Sequence, residues 1–277
     1  MSPVDKALWF IESHLAEDVT LSDIAAGAGV SRFHITRAFA AIAGQSAMRY
    51  VRGRRLSRAA HTLARGAADI MAVALEAGYG SHEAFTRSFR EQFNCTPESV
   101  RDGGRLDHLP LVEPIRLDDT PAGKVPPVRF EYRNTILIAG IGRRYTCESS
   151  AGIPSQWQEF LPQFGHVPGQ IERIAYGVRC NTDDEGAFEY LSGVEVKSFA
   201  QLPGSLARAR IPAQKYAVFS HTEHIASIRG SWHTIWNRWL PQSGHEVVDA
   251  PEFERYGEQF DPQTGLGGLE IWLPVKV

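Results

Sequence analysis

Two internal repeats constrain the fold of this chain more than any other feature of its sequence. Residues 36–39 read TRAF, and fifty residues later 86–89 read TRSF. A serine lies five residues before each copy, and a glycine-containing turn precedes that serine. In the second half, WQEFLP at 157–162 recurs as WNRWLP at 236–241. Repetition at a fixed spacing predicts that each half of the chain is a duplicated structural unit.

The two halves also differ in pattern, which indicates two domains within the 277 residues. Residues 1–100 place apolar side chains at helical spacing, with capping residues before the segments and glycines after them. Eight glycines and prolines between 101 and 127 exclude a long helix there. β-rich runs follow at 128–132, 135–141, 174–180, 191–196, 217–221 and 269–275, with aromatic helices near 155–161 and 227–240.

We therefore expect a multidomain protein. An all-α domain at 1–105 is predicted to contain two helix-turn-helix motifs, a linker occupies 106–126, and an α+β domain occupies 127–277. Offsets near 80 residues align Tyr176 with Tyr256 and Glu189 with Glu270 in the second domain.

Arginine is concentrated in one stretch that has no acidic residues. Between Ile24 and Ala68 there is no Asp or Glu, although eight arginines lie there: 32, 37, 49, 52, 54, 55, 58 and 65. Uncompensated positive charge of this density repels itself unless an anion neutralises it. The stretch favours a polyanionic partner, and a solvated helix face is the alternative.

A helix, a tight turn and a second serine-capped helix make a helix-turn-helix, whose second helix can lie in a major groove. Two copies joined by an arginine-rich helix are a more specific signal than one. The chain resembles the AraC/XylS family of transcription regulators over about residues 5–101. The matching segments are LSDIAAGAGVSRFHITRAF, MRYVRGRRLSRAAHTL and DIMAVALEAGYGSHEAFTRSFREQFNCTP. Asn94 stands where the family pattern usually has glycine, and Asn also tolerates left-handed backbone.

The resemblance implies base contacts from both second helices. The predicted base-reading residues are Arg32, Phe33, Thr36 and Arg37 on the first helix, and His82, Glu83, Ala84 and Arg87 on the second. Arginine suits guanine, and glutamate can accept a hydrogen bond from cytosine. A structural ion pair for Arg37 or Arg87 and partial burial of Phe33 are the alternatives. Arg54 and Arg55 of the connecting helix are expected to contact phosphates or partner carboxylates.

Residues 127–277 resemble the GyrI-like effector-binding domain, a duplicated β-α-β-β module of the SHS2 type. This resemblance is based on the segments IPAQKYAVFSHTEH, SWHTIWNRWLP, PEFERYGEQF and LEIWLPVKV. It implies that a cleft between the two modules binds amphipathic, often cationic, small molecules.

Aromatic and acidic residues of this half fit such a cleft. The predicted ligand-binding residues are Tyr176, Trp232, Trp236, Glu254, Tyr256, Glu270 and Trp272. Aromatic rings supply flat apolar walls that attract cations, and a carboxylate can anchor a cationic group. Burial of the Trp236 side chain in a core is one alternative. For either glutamate, pairing with Arg255 or exposure to water is another.

The sequence therefore predicts a ligand-responsive transcription regulator. Its predicted partners are double-stranded DNA, a small-molecule effector and RNA polymerase, with no membrane, metal or cofactor. A hydrolase using Glu189 and Glu270 is one alternative, and a C-terminal domain that docks onto a protein is another. Three scattered cysteines and the absence of an apparent secretory signal predict a cytoplasmic protein.

Overall fold

The computed structural model describes residues 2–115 and 128–276. The later part of the predicted linker, residues 116–126, lies outside the described residues. No helix in the part of the chain that is described is long and apolar enough to cross a membrane.

The N-terminal part is helical, as predicted. Within residues 2–115 its helices are α1 (Pro3–Ser13), α2 (Leu21–Ala28), α3 (Arg32–Ala43), α4 (Ala47–Ala64), α5 (Ile70–Glu76), α6 (His82–Phe93) and α7 (Pro97–Gly103). Helices α2 and α3 form the first helix-turn-helix, α5 and α6 form the second, and α4 connects them. The predicted duplication of this half is confirmed.

Side-chain caps explain where these helices begin. The Thr20 side chain accepts a hydrogen bond from the backbone N–H of Asp23, whose carboxylate accepts one from the Thr20 backbone. Ser46 and Ser81 cap α4 and α6 in the same position. Asn94 ends α6 with a φ of 55°, the left-handed conformation in which the family pattern usually has glycine. Each of these signals is local, which is why the helices were predictable.

The second helix-turn-helix packs around a stripe of phenylalanines on α6. Phe85, Phe89 and Phe93 recur every fourth residue and are all buried. They form one apolar cluster with Leu63 of α4 and with Leu109, which lies beyond α7. Residues that the sequence assigned to the linker therefore pack on this core.

The C-terminal part is an eight-stranded sheet within the described residues. Its strands are β1 (Val128–Arg133), β2 (Ile136–Tyr145), β3 (Gln170–Cys180), β4 (Phe188–Val196), β5 (Ala207–Ile211), β6 (Gln214–His221), β7 (Glu252–Tyr256) and β8 (Leu269–Val275). Helix α8 (Ile153–Phe160) follows β2, and α9 (Ile228–Thr234) follows β6. A π-helical turn (Ile235–Trp239) joins α9 to α10 (Leu240–Ser243).

The topology of the sheet confirms the predicted duplication. The strand order is β1-β6-β8-β7-β3-β4-β2-β5, and every pair is antiparallel. The units β2-α8-β3-β4 and β6-α9-β7-β8 are two β-α-β-β modules that meet where β3 pairs with β7. The strand before each module pairs with the first strand of the other module, because β1 pairs with β6 and β5 with β2.

The pairing register at the junction of the modules decides which side chains share a face. Gly177 of β3 lies opposite Glu254 of β7, whereas Tyr176 lies opposite Arg255 and Ala175 opposite Tyr256. Directly paired residues lie on the same face of a sheet, and neighbours along a strand lie on opposite faces. The alignment of Tyr176 with Tyr256 is therefore wrong as a statement of equivalence, because their side chains project from opposite faces.

Candidate effector and DNA-binding sites

A cleft lies on the face of the sheet that carries Glu254. Its floor is the junction of β3 and β7, and residues of α8 and α9 line it. Lining side chains from the effector domain include Trp157, Phe188, Tyr190, Trp232, Trp236, Glu254 and Tyr256. Both modules contribute to it, as the resemblance implied.

Glu254 accepts hydrogen bonds from three aromatic side chains in this cleft. Its Oε2 accepts from the Tyr190 hydroxyl at 2.7 Å and from the Tyr256 hydroxyl at 3.0 Å. Its Oε1 accepts from the Trp232 indole N–H at 3.2 Å. The Trp157 indole N–H in turn donates to the Tyr190 hydroxyl at 3.2 Å. The carboxylate is thus held in one orientation by neutral donors from both modules.

The electrostatics of Glu254 are determined by its burial and by its three neutral donors. Burial raises the pKa of this carboxyl, although hydrogen bonds from Tyr190, Trp232 and Tyr256 oppose the rise. Burial also raises the pKa of the Tyr190 and Tyr256 hydroxyls, which therefore keep their protons and remain donors. Among the described residues, no Lys, Arg or His forms an ion pair with Glu254. A desolvated carboxylate without a counter-ion is costly, and a bound cation would offset that cost.

One of the arginines that line the cleft, Arg179, forms its ion pair with a different glutamate. Arg179 lies opposite Glu252 in the sheet, and its Nε is 3.7 Å from Glu252 Oε1. Its guanidinium also stacks over the Phe188 ring, with Cζ 3.8 Å from the ring centroid. Arg179 therefore forms its ion pair with Glu252, while the negative charge of Glu254 acts on it only at longer range.

A glycine makes room for the Glu254–Tyr190 hydrogen bond. A Cβ atom on Gly177 would lie 2.1 Å from the Tyr190 hydroxyl oxygen and 2.7 Å from Glu254 Oε2. Both atoms are side-chain ends, so they would move while the strand stays paired. Gly257, the residue directly after β7, also lines the cleft, and a Cβ atom on it would meet nothing within 4 Å.

We expect Gly177→Ala to weaken the binding of an aromatic cation about tenfold, because it displaces the Tyr190 hydroxyl and with it a hydrogen bond to a charged group. The matched variant Gly257→Ala should bind as the wild type does. Equilibrium dialysis gives the dissociation constants, and thermal unfolding checks that both variants are folded. Equal affinities for the two variants would show that the glycine does not position the carboxylate.

The structure brings together four of the seven predicted ligand residues. Trp232, Trp236, Glu254 and Tyr256 all line the cleft. The Trp236 side chain is also only 2% exposed. Burial in a core, the alternative to a place in the cleft wall, therefore holds for this residue as well, because Trp236 does both.

Tyr176, Glu270 and Trp272 lie on the opposite face of the sheet, and this corrects their prediction as cleft residues. Tyr176 donates to Glu195 Oε2 at 3.2 Å, and Trp272 packs in an apolar cluster with Phe253. The strand period of two is the reason, because each of these residues is one position away from the cleft face.

Glu270 is also neutralised where it lies. Its Oε1 accepts from Arg129 at 2.7 Å, and its Oε2 lies 3.4 Å from Arg255 Nη1. The alternative of pairing with Arg255 is thus the observed one, with a second arginine from β1.

Sequence reasoning missed Tyr190 and Gly177. Tyr190 lies two residues into a strand and carries no motif of its own. Period-two alternation places Tyr190 and Ser192 on one face of β4, but only the pairing of Ser192 with Gly177 in the structure shows that this is the cleft face. Trp157, the first residue of the WQEFLP repeat, also lines the cleft, and its indole N–H donates to the Tyr190 hydroxyl.

The predicted base-reading residues of the second helix-turn-helix are accessible. His82, Glu83 and Arg87 are exposed on α6, and Ala84 is half-buried. His82 Nε2 lies 3.1 Å from Glu98 Oε1 at the start of α7. An exposed face at the first turns of this helix has the form that base reading requires.

The first helix-turn-helix differs from this pattern. Arg32 is exposed and Phe33 half-buried, whereas Thr36 and Arg37 are 6% and 2% exposed. Base reading needs an accessible side chain, which Arg32 has in this structure and Thr36 and Arg37 do not. Base contacts by these four residues stay a prediction.

Arg54 and Arg55 of α4 have structural partners, and phosphate contacts by these two residues stay a prediction. Arg54 donates from Nε and Nη2 to the two oxygens of Glu12, at 2.8 and 3.0 Å. Arg55 donates from Nε to the Leu15 carbonyl at 2.9 Å and from Nη2 to the Glu17 carbonyl. Their donors therefore join α4 to α1 and the segment after it, and the carboxylate alternative is the observed one for Arg54.

Tandem helix-turn-helix motifs and a duplicated module with a carboxylate-bearing cleft define a DNA-binding protein with a ligand-binding domain. Comparison with known families agrees with this class. Residues 129–275 match the family of integron-associated effector binding proteins, and residues 24–103 match a helix-turn-helix domain family. The chain belongs to the AraC-type transcription regulators that carry a GyrI-like effector-binding domain.

Two relatives resemble the chain over nearly its whole length, and a third resembles it over less than half. The right origin-binding protein of Escherichia coli is 32% identical, over 98% of this chain and 97% of that protein. The transcriptional regulator Rob of Salmonella typhimurium is 26% identical, over 94% of this chain and 92% of that protein. The transcriptional regulator BrlR of Pseudomonas aeruginosa is 30% identical over 43% of this chain and 44% of that protein. The chain is a transcription regulator with an effector-binding domain.

Proposed function

We propose that this regulator responds to amphipathic cations that bind between its two modules and contact Glu254. The single observation that carries the proposal is a desolvated carboxylate held by three neutral donors with no ion-pair partner among the described residues. Rings of Trp157, Trp232 and Tyr256 surround it, so an apolar body and a positive charge are accommodated together.

DNA binding belongs to the helical part. We assign base reading in the second motif to His82, Glu83, Ala84 and Arg87, and in the first motif to Arg32, Phe33, Thr36 and Arg37. RNA polymerase is the further partner that a transcription regulator requires. The proposal includes the bounds 1–105, 106–126 and 127–277 for the DNA-binding domain, the linker and the effector domain, and a place in the cytoplasm.

An effector response predicts a ligand-dependent change in transcription. The full-length protein is first used to select the fragments that it binds from sheared genomic DNA of the source organism. Transcription by RNA polymerase from those fragments is then measured with and without the cation (1-naphthylmethyl)trimethylammonium. A change in transcript yield with the wild type, absent with Glu254→Gln, is the expected result. An unchanged yield with the wild type would contradict the proposal.

Base reading by α6 gives a separate prediction. Arg87→Ala should cost roughly 1–3 kcal/mol on the selected fragments and much less on random DNA, because a bidentate arginine–guanine contact is sequence-specific. Arg105→Ala removes the same charge from an exposed residue that already pairs with Asp107, and it serves as the control. Binding is measured by fluorescence anisotropy at fixed salt. Equal losses for Arg87→Ala on both DNAs would assign Arg87 to the phosphate backbone.

The contacts favour a sensor over a hydrolase. A hydrolase would need Glu189 and Glu270 to act as a pair. These residues lie on β4 and β8, which are separated in the sheet by β3 and β7. Three strand spacings alone separate them by roughly 14 Å, and Glu189 is also displaced along β4 from the position across the sheet from Glu270, so they are too far apart to share one substrate bond. Glu189 accepts from the Asn181 side chain at 2.8 Å, and Glu270 is paired with two arginines. We therefore assign no catalytic role to either residue.

A further inference from the structure

The number of free lone pairs on Glu254 determines which cations it can receive. A carboxylate offers about four acceptor positions, two on each oxygen. Both positions on Oε2 are used, by Tyr190 and Tyr256, and Trp232 uses one on Oε1. One acceptor position is left for a ligand, while the negative charge remains whole.

A protonated primary amine is poorly served by one acceptor. Its –NH3+ group carries three N–H donors and is strongly hydrated. The aromatic side chains that contact Glu254 or one of its donors are Trp157, Tyr190, Trp232 and Tyr256, and all four line the cleft. Glu254 can replace the water hydrogen bond of only one of the three donors, and a donor that loses its water without a new acceptor is costly in a desolvated site. A quaternary ammonium has no N–H donor and incurs no such loss.

We infer that the three donors on Glu254 make this site selective for cations without N–H groups, such as quaternary ammonium ions, over protonated amines. This inference rests on the proposed function and names the chemical class of its effector. The charge attracts both kinds of cation, and the occupied lone pairs reject the one that needs acceptors. Selectivity thus has two sources. Glu254 provides the negative charge that attracts a cation, and Tyr190, Tyr256 and Trp232 occupy the acceptor positions that a protonated amine needs.

The burial of the donors keeps this arrangement in place. Tyr190 and Tyr256 are 4% and 7% exposed. The Tyr256 ring also packs edge-on against Trp157 at a centroid distance of 5.0 Å. A ligand therefore cannot easily swing these hydroxyls aside to free lone pairs on Oε2.

The test compares two cations that share one aromatic body. The probes are (1-naphthylmethyl)trimethylammonium and (1-naphthylmethyl)ammonium, both charged at pH 7, and equilibrium dialysis with the full chain gives their dissociation constants. We expect the wild type to bind the quaternary cation at least tenfold more tightly. Greater hydration of the primary ammonium contributes to this ratio, so the ratio in variants is the decisive quantity.

Tyr256→Phe removes one donor and returns a lone pair to Oε2. We expect the preference for the quaternary cation to fall about tenfold in this variant, since a hydrogen bond to a charged group becomes available to the amine. Tyr190→Phe is a second variant with the same expectation. Tyr132→Phe, at an exposed tyrosine of β1, is the control and should keep the wild-type ratio.

The outcomes separate this inference from the proposed function. Wild-type binding of both cations with equal affinity, or a ratio that neither Tyr256→Phe nor Tyr190→Phe lowers, would overturn the inference and leave cation sensing intact. Binding of neither cation would overturn both. A ratio that falls in the two cleft variants and not in Tyr132→Phe supports the inference.

Discussion

Glu254→Gln is expected to weaken the binding of (1-naphthylmethyl)trimethylammonium at least 30-fold, about 2 kcal/mol. The substitution keeps the size of the side chain and removes the charge that attracts the cation. The neutral isostere neopentylnaphthalene, in which carbon replaces the charged nitrogen, should bind both proteins equally. Equilibrium dialysis of the two ligands against each protein makes this comparison directly.

Glu270→Gln is the informative comparison, because the sequence offered Glu270 and Glu254 as equal candidates. Glu270 lies on the other face of the sheet and is paired with Arg129 and Arg255, so its substitution should leave cation affinity unchanged. A loss with Glu270→Gln and none with Glu254→Gln would exchange the two assignments.

Cation binding should also depend on pH in one direction. Burial raises the pKa of the Glu254 carboxyl above its usual value, and the protonated form carries no charge. Affinity for the quaternary cation should therefore fall as the pH is lowered through that raised pKa. The affinity for neopentylnaphthalene should stay constant over the same range, which separates titration of the site from unfolding.

Arg54→Met should destabilise the helical domain by about 2 kcal/mol, because it leaves the Glu12 carboxylate partly buried without its main partner. Glu12 is held by both Arg54 hydrogen bonds and by the Tyr50 hydroxyl at 2.6 Å. Arg54 Nη1 also donates to the Val112 carbonyl at 2.7 Å, so the same side chain fastens the segment after α7. The melting temperature of this domain should fall by roughly 10 °C.

Arg65→Met is the matched control, since Arg65 is exposed at the end of α4 and its loss removes the same charge. Thermal unfolding followed by circular dichroism measures both variants, and DNA binding is measured well below the transitions. Unchanged stability of Arg54→Met together with weaker binding to all DNA sequences would contradict the structural role and support the phosphate contact that the sequence predicted for Arg54.

The pH dependence of the same pair has a defined sign. Burial raises the pKa of Glu12, but hydrogen bonds from Arg54 and Tyr50 outweigh it, and the net pKa lies below the usual value. The stabilisation is therefore present above the unfolded-state pKa of a glutamate and is lost as the pH falls through the lowered folded-state pKa. Arg54→Met should remove this part of the acid sensitivity.

The helices and the duplications were within reach of the sequence because their signals are local. Caps such as Thr20, Ser46 and Ser81 act within three residues, and the phenylalanine stripe of α6 shows the helical period directly. The strands β5 and β7 were not predicted as separate elements. They are five residues each, and their formation depends on partners far along the chain.

Local chemistry therefore determined the class of protein, the bounds of the helices and the presence of an aromatic, acidic effector domain. Tertiary structure alone decided which of the two glutamates, Glu254 or Glu270, lies in the cleft, because a shift of one residue in register exchanges the two faces of a strand. It also decided that Arg54 binds Glu12, a residue 42 positions earlier in the chain. Neither the face of a strand relative to a distant helix nor a pairing across such a separation is encoded within any short window of residues.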